Sequence, residues 1–178
     1  EAISKNFGFP VSILVKESSK AIQFLKENKT INEIIILDRG NKIKNGHHDG
    51  IIGAYNLITD LRKYNFDKIF IFNSSLRFNI IAKIAGIKDV HQYPLFNKKN
   101  QHIVDAAKDF IKKELNIEAE SNPQIFLNDN LVKNSKVNYK INNKEINILL
   151  GVGGSGPTKR IPSKIFINFM KLVTQRYK

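Results

Sequence analysis

Short, mostly apolar runs limit what this chain can become. They are Val11-Ser12-Ile13-Leu14-Val15, Ile34-Ile35-Ile36-Leu37, Ile69-Phe70-Ile71-Phe72 and Ile146-Asn147-Ile148-Leu149-Leu150. Each is short for a helix and rich in β-branched or aromatic residues, so each reads as a strand. Apolar runs without a clean polar alternation suit strands covered on both faces, as in a parallel sheet. Segments with helical spacing lie between them. Residues 17–28 place Ala21, Ile22, Phe24 and Leu25 on one face, with Ser18 or Ser19 as a cap. Residues 51–64 turn Ile52, Leu57, Ile58 and Leu61 inward, residues 76–85 form a helix stopped by Gly86, and residues 101–115 group Ile103, Val104, Ala107, Phe110, Ile111 and Leu115. The alternation is β-α-β-α-β-α-β-α. It predicts an α/β fold, a Rossmann-like parallel sheet with helices on both faces.

The last of these strands leads into Gly151-Val152-Gly153-Gly154-Ser155-Gly156-Pro157-Thr158-Lys159-Arg160, and a helix starts near Pro162-Ser163 with Ile165, Phe166, Phe169, Met170, Leu172 and Val173 on its apolar side. Glycines let the backbone approach a ligand or take positive φ. A helix N-terminus offers unpaired N–H groups and partial positive charge, and Lys159 and Arg160 add full charge at the same place. This is the pattern of an anion site, above all for a phosphate or diphosphate, although glycine-rich strand-to-helix connections also occur without a ligand. The P-loop pattern fails because Pro157 stands where its lysine belongs. Gly151, Gly153 and Gly156 match the spacing of a dinucleotide fingerprint, but no ribose-binding acid follows at the required distance.

The connections carry their own signals. Residues 38–50 are polar and contain Gly40, Gly46 and Gly50, so they read as a surface loop or flexible segment. His47 and His48 fall in that loop and are read as solvated rather than ligating. The four histidines (His47, His48, His91, His102) are not spaced like a zinc site, and cysteine is absent. Asn73-Ser74-Ser75 is a polar turn at a strand end, where open α/β sheets bind ligands. Residues 87–95 read as a connection rather than a strand. Residues 129–144 are polar, rich in Asn and Lys and poorly periodic, which marks them as a linker. The expected division is therefore a domain over 1–128, a linker over 129–144 and the start of a second domain over 145–178. The two strand-end turns would then belong to two domains facing across a cleft.

The net charge of +13 comes from 29 basic and 16 acidic residues. Lysine dominates the basic residues, and the abundance of Lys, Asn and Ile matches the bias of an AT-rich coding sequence. The charge is spread along the chain, with no basic stripe interleaved with exposed aromatics. Nucleic acid is therefore not an expected partner. No apolar run approaches the roughly 18 residues of a membrane span, and no signal peptide opens the chain. Residues 1–8 read as the tail of a helix with Gly8 as its stop. With a helix running to the last residues, both ends are expected to continue in a longer protein.

Separated stretches then resemble one family. Tyr64-Asn65-Phe66-Asp67-Lys68-Ile69-Phe70-Ile71-Phe72-Asn73-Ser74-Ser75-Leu76-Arg77, followed by Ala82-Lys83-Ile84-Ala85-Gly86-Ile87, is similar to a strand-turn-helix of the glycosyltransferase family 9 enzymes, the heptosyltransferases of lipopolysaccharide core synthesis. Gln101-His102-Ile103-Val104-Asp105, with Leu115-Asn116-Ile117 at the end of its helix, resembles a second element of that family. Gly153–Pro162 resembles its donor loop, with Ile161 where the family usually has Trp and Gly151-Val152-Gly153 in place of its His-Pro opening.

The resemblance implies a two-domain GT-B architecture and an inverting, metal-independent transfer without a cofactor. The donor would be a nucleotide-diphosphate sugar, an ADP-activated heptose in the characterised members, and the acceptor a lipid-linked lipopolysaccharide core saccharide. It implies a cytoplasmic bacterial enzyme in peripheral contact with the inner face of the inner membrane. Lys159 matches the family lysine that contacts the donor phosphate, and Ser155, Thr158, Gly153, Gly154 and Gly156 match the surrounding loop. Arg77 matches the basic residue on the acceptor side, beside Asn73, Ser74 and Ser75. The catalytic base is expected before Glu1, so the 178-residue chain alone is expected to be inactive. Three other readings stay open: a GT-B transferase using a different nucleotide sugar, a plain nucleotide-binding domain without transfer chemistry, and, from another class, a basic nucleic-acid-binding α/β module.

Overall fold

A computed structural model describes residues 1–40, 44–94, 101–120, 122, 124–142, 144–154, 156 and 160–177. The chain divides into two compact units, Glu1–Asn128 and Asp129–Lys178.

In the first unit, helix α1 (Ala2–Phe7) ends at Gly8, which takes a left-handed φ of 74° while its N–H returns to the Ser4 carbonyl. Strand β1 (Val11–Lys16) pairs in parallel with β2 (Ile31–Leu37), with Ile13 opposite Ile34 and Val15 opposite Ile36. The connection between them is not the continuous helix expected over 17–28. A 3-10 turn at Glu17–Ser19 gives way to a short helix α2 (Ala21–Leu25), and Lys20 between them sits at φ 55°. One left-handed residue is enough to end a right-handed helix. As a result Ala21 is buried, whereas Ile22 and Phe24 stay exposed.

Helix α3 (Gly50–Arg62) carries the chain to β3 (Lys68–Ile71), and α4 (Leu76–Ile84) carries it to β4 (Asp89–Gln92). β3 and β4 are parallel, with Lys68 opposite Asp89 and Phe70 opposite His91. β4 lies where the sequence indicated only a connection. Its side chains, Asp-Val-His-Gln, carry one aliphatic residue, and its place is fixed by the partner strand. Lys68 forms an ion pair with Asp89, and the His91 ring stacks on Phe70 at 4.7 Å. Helix α5 (Ile103–Leu115) closes the unit, with Phe110 edge-on to Phe72 and Tyr93.

The strands thus form two parallel pairs, β1–β2 and β3–β4. Helices α3 and α4 cover them and build the core. Leu37, Leu57, Ile58, Leu61 and Ile81 form one buried cluster, and Ile71, Ala82 and Ile87 a second. Phe66, Phe78 and Ala85 pack against both clusters and so join the strand pairs through one apolar interior. Not every position expected to face inward is buried. Leu57, Ile58 and Leu61 are buried, but Ile52 is 77% exposed.

The second unit contains α6 (Asp129–Asn138) and α7 (Ser163–Arg176). The segment expected as a linker therefore holds a helix, α6, with no buried residue. The expected strand over 146–150 does not form. Its backbone has no strand partner among the described residues, and a parallel strand gets its hydrogen bonds only from a neighbour. Ile146, Ile148 and Leu149 are accordingly exposed. Helix α7 starts where the sequence placed it, but Ile165, Phe169, Met170 and Leu172 on its expected inner side are exposed.

Candidate functional site

The C-terminal ends of β2, β3 and β4 carry the polar structure of the first unit. The described residues of the loop after β2 are held by a set of hydrogen bonds. The Asp49 carboxylate accepts the N–H groups of Gly40 at 2.6 Å and Gly46 at 2.8 Å, and the Arg39 Nε–H as well. Those two backbone N–H groups, Gly46 first, and then Arg39 pull Asp49 down to about 2. Asp38 works from the other side, with Oδ2 accepting the His47 N–H at 3.0 Å.

His48 is the centre of this loop. It is 5% exposed, not solvated as the sequence suggested. Its Nδ1 accepts the Asp38 N–H at 3.0 Å, so the ring proton sits on Nε2, which donates to Asp60 Oδ2 on α3 at 3.1 Å. Asp60 also receives Lys63 Nζ at 2.6 Å, and Lys63 first, then His48, holds its carboxyl below the usual range. Gly53, one turn into α3, lets the helix pass close to the His48 backbone. A Cβ there would stand 2.7 Å from the His48 Cα.

His47, His48 and Asp60 bring ligand atoms within 4.8 Å of one another. His47 Nε2 is 3.6 Å and His48 Nε2 3.1 Å from Asp60 Oδ2, close to the edges of a tetrahedral zinc shell. The donor chemistry does not fit. A zinc on Nε2 would force the neutral ring's proton onto Nδ1, and metal-bound histidines give that proton to an acceptor. Here Nδ1 faces the Asp38 N–H, a donor.

Arg77 lies in the first turn of α4. Its Nη2 donates to the carbonyls of His48 at 2.9 Å and Gly50 at 3.0 Å, while its Nε is buried without a partner among the described residues. A cation is disfavoured at a helix N-terminus, and these two carbonyls offset that. The turn before it is also held. Asn73 Oδ1 accepts the Ser75 N–H at 2.7 Å, and Gln92 at the end of β4 donates Nε2 to the carbonyls of Asn73 and Ser75 at 2.8 and 2.9 Å. The side chains of Asn73, Ser74 and Ser75 remain exposed. The ends of β2, β3 and β4 therefore carry four residues named from sequence, Asn73, Ser74, Ser75 and Arg77, together with His48, its α3 partner Asp60 and Gln92, which sequence reasoning missed. For His48 a signal existed. Asp38-Arg39-Gly40 and Gly46-His47-His48-Asp49-Gly50 join a buried strand to a helix through glycines, the same pattern given weight at 151–162.

Of the residues expected to hold the donor diphosphate, Ser155, Thr158 and Lys159 lie outside the described residues. Gly153 is exposed, and Gly154 and Gly156 are half-buried. A Cβ on Gly151, Gly153 or Gly156 would meet nothing within 4 Å, and none of the three takes a left-handed φ. What the described residues show here is open space beside the backbone, not a strained turn. Arg160 Nε donates to the Gly154 carbonyl at 3.3 Å.

No protein-family model and no curated protein sequence matches the chain. Among solved structures, the chain is similar to the crystal structure of the glycosyl transferase family 9 from Veillonella parvula DSM 2008. The TM-score is 0.72 and the identity 15%, over 94% of this chain and 51% of that one. The chain thus spans about half the length of that structure. The likeness is one of fold, and it gives this α/β chain the Rossmann-like parallel architecture with which a GT-B glycosyltransferase begins.

Proposed function

We propose that this sequence is the acceptor-side domain and the start of the donor-side domain of a bacterial glycosyltransferase of the family 9 type. One observation carries the reading. A fold likeness to a family 9 glycosyl transferase at TM-score 0.72 coincides with the family-like motifs at Tyr64–Arg77, Gln101–Asp105 and Gly153–Pro162. The first unit, Glu1–Asn128, would hold the acceptor and residues 145–178 would open the donor domain, with 129–144 between them.

The donor in this reading is an ADP-activated heptose or related sugar, and the acceptor a lipid-linked lipopolysaccharide core saccharide. A carboxylate takes the proton of an acceptor hydroxyl. The oxygen attacks the anomeric carbon, the bond to the nucleotide diphosphate breaks with inversion, and the diphosphate leaves with its electron pair. Such a step needs a positioned base and positive charge at the leaving group. Lys159, with Thr158, Ser155, Gly153, Gly154 and Gly156, is assigned to the diphosphate. Arg77, Asn73, Ser74 and Ser75 are assigned to the acceptor, and neither a metal ion nor a cofactor is required. No residue of this chain is assigned as the base. No helix among the described residues is long and apolar enough to cross a membrane, and a lipid-linked acceptor would place the enzyme against the cytoplasmic face of the inner membrane.

The test is a calorimetric titration of ADP-heptose into the full-length protein and its Lys159→Ala variant. Loss of one charge-assisted contact to phosphate is expected to weaken binding about tenfold or more. Equal donor affinity in the two proteins would sink the assignment of Lys159.

A further inference from the structure

We propose that His48 is a positioning residue for the acceptor side: through its own carbonyl it fixes the Arg77 guanidinium at the C-terminal ends of β2 and β3. The proposal rests on the acceptor role given to Arg77 above.

Every polar atom of His48 is engaged. Its N–H donates to the Asp38 carbonyl at 2.9 Å and its Nδ1 accepts the Asp38 N–H at 3.0 Å. Its Nε2 donates to Asp60 at 3.1 Å, and its carbonyl receives Arg77 Nη2 at 2.9 Å. One buried residue thereby ties the end of β2, the last turn of α3 and the start of α4. The ring cannot rotate without losing the Asp38 N–H, and the peptide cannot turn without losing Arg77. The guanidinium is a rigid plane, so fixing Nη2 on two carbonyls fixes the direction of the whole group. Nη1 makes no hydrogen bond among the described residues, which leaves that edge of the plane for an anion. The α4 N-terminus adds backbone N–H groups and partial positive charge beside it. The ligand class is a phosphorylated or carboxylated sugar, which a preoriented guanidinium binds better than a mobile one.

Glucose 6-phosphate is the probe, with glucose as the uncharged control, titrated into the full-length protein and its variants. Arg77→Met is expected to weaken glucose 6-phosphate binding about tenfold. His48→Phe, which keeps a ring but loses both nitrogens, is expected to weaken it to a similar degree. Adding His48→Phe to Arg77→Met should then cost little more. His48→Asn, whose Oδ1 can take the place of Nδ1, should recover most of the affinity. Gly53→Ala, which leaves His48 in place but presses on its carbonyl, is the second variant if His48→Phe does not fold, and should also weaken binding. A merely structural role would lower the melting temperature and leave the affinity of the folded protein unchanged. If Arg77→Met weakens binding while the folded His48→Phe and Gly53→Ala proteins bind as wild type, the positioning role is wrong and the acceptor reading stands. If Arg77→Met itself binds as wild type, both fall.

Discussion

Asp38 holds His48 at two points, its N–H on the imidazole Nδ1 at 3.0 Å and its carbonyl on the His48 N–H at 2.9 Å. The pair closes the loop after β2 on itself and sets the tautomer of a ring 5% exposed. The consequence for metals is direct. Zinc at His47, His48 and Asp60 would require the proton that Nε2 gives to Asp60 to move to Nδ1, against the Asp38 N–H. Zinc added in about tenfold excess should leave the melting temperature unchanged, as should a chelator. A site binding zinc at 100 times its dissociation constant would stabilise the fold by roughly 2.7 kcal/mol. A saturable rise at one zinc per chain would show that the loop rearranges to accept the ion.

Gly53 gives a prediction whose sign is diagnostic. In a helix interior, Gly→Ala ordinarily stabilises by roughly 0.8–1 kcal/mol. Here the new methyl would stand 2.7 Å from the His48 Cα and 2.8 Å from its carbonyl oxygen, and the neighbours are backbone atoms, which yield poorly. Gly53→Ala should therefore destabilise, by about 1–3 kcal/mol as for other overpacked sites. Urea denaturation reads this, and a stabilised variant would mean that α3 and the loop are not in this contact.

The loop also sets a pH response. Asp49 is held down to about 2 against an ordinary value of 3.8, chiefly by the Gly46 and Gly40 N–H groups and then by Arg39. A carboxyl depressed on folding stabilises above its unfolded pKa and loses that contribution as pH falls through the folded one. The window therefore runs from about pH 4 down to about pH 2. Asp60, depressed by Lys63 and then His48, acts in the same direction. Asp49→Asn should be less stable than wild type at pH 7 and should lose less stability between pH 4 and 2. Parallel melting curves for the two proteins across that range would remove Asp49 from the account.

What the sequence carried, and what it did not, divides along physical lines. The apolar runs of β1, β2 and β3, the stop at Gly8 and the buried face of Leu57, Ile58 and Leu61 are local signals of period and backbone freedom, and they were legible. β4 was not, because Asp-Val-His-Gln becomes a strand through Lys68, Phe70 and the other partners about 21 residues earlier. The reverse error fell at 146–150, where an apolar run without a partner strand among the described residues stays irregular and exposed. Lys20 broke a helix that propensity favoured. Of the residues proposed for the acceptor, Asn73, Ser74 and Ser75 announced themselves by their place after a buried strand, and Arg77 by the family resemblance. The groups that hold them did not. Asp60 lies 12 residues beyond His48 and Gln92 lies 17 beyond Ser75, so their hydrogen bonds exist only once the fold does.

Gln92 offers the last test. Its Nε2 bonds to the Asn73 and Ser75 carbonyls, which close the turn at the end of β3. Because two carbonyls face it, the amide nitrogen and not the oxygen must point at the turn, and the oxygen is left buried without a partner among the described residues. Gln92→Leu removes both bonds and also that orphaned acceptor, so the losses partly cancel. Each neutral hydrogen bond is worth roughly 0.5–1.5 kcal/mol, and relief of a buried unsatisfied acceptor is of similar size. Global stability should thus fall by about 1 kcal/mol or less, while the Ser74 and Ser75 amides should exchange with solvent several-fold faster. Gln92→Glu is the sharper variant. It places a carboxylate against two carbonyl oxygens, which no rotamer satisfies, and should cost about 1–3 kcal/mol at neutral pH. A Gln92→Glu protein as stable as wild type would show that this side chain does not clamp the turn.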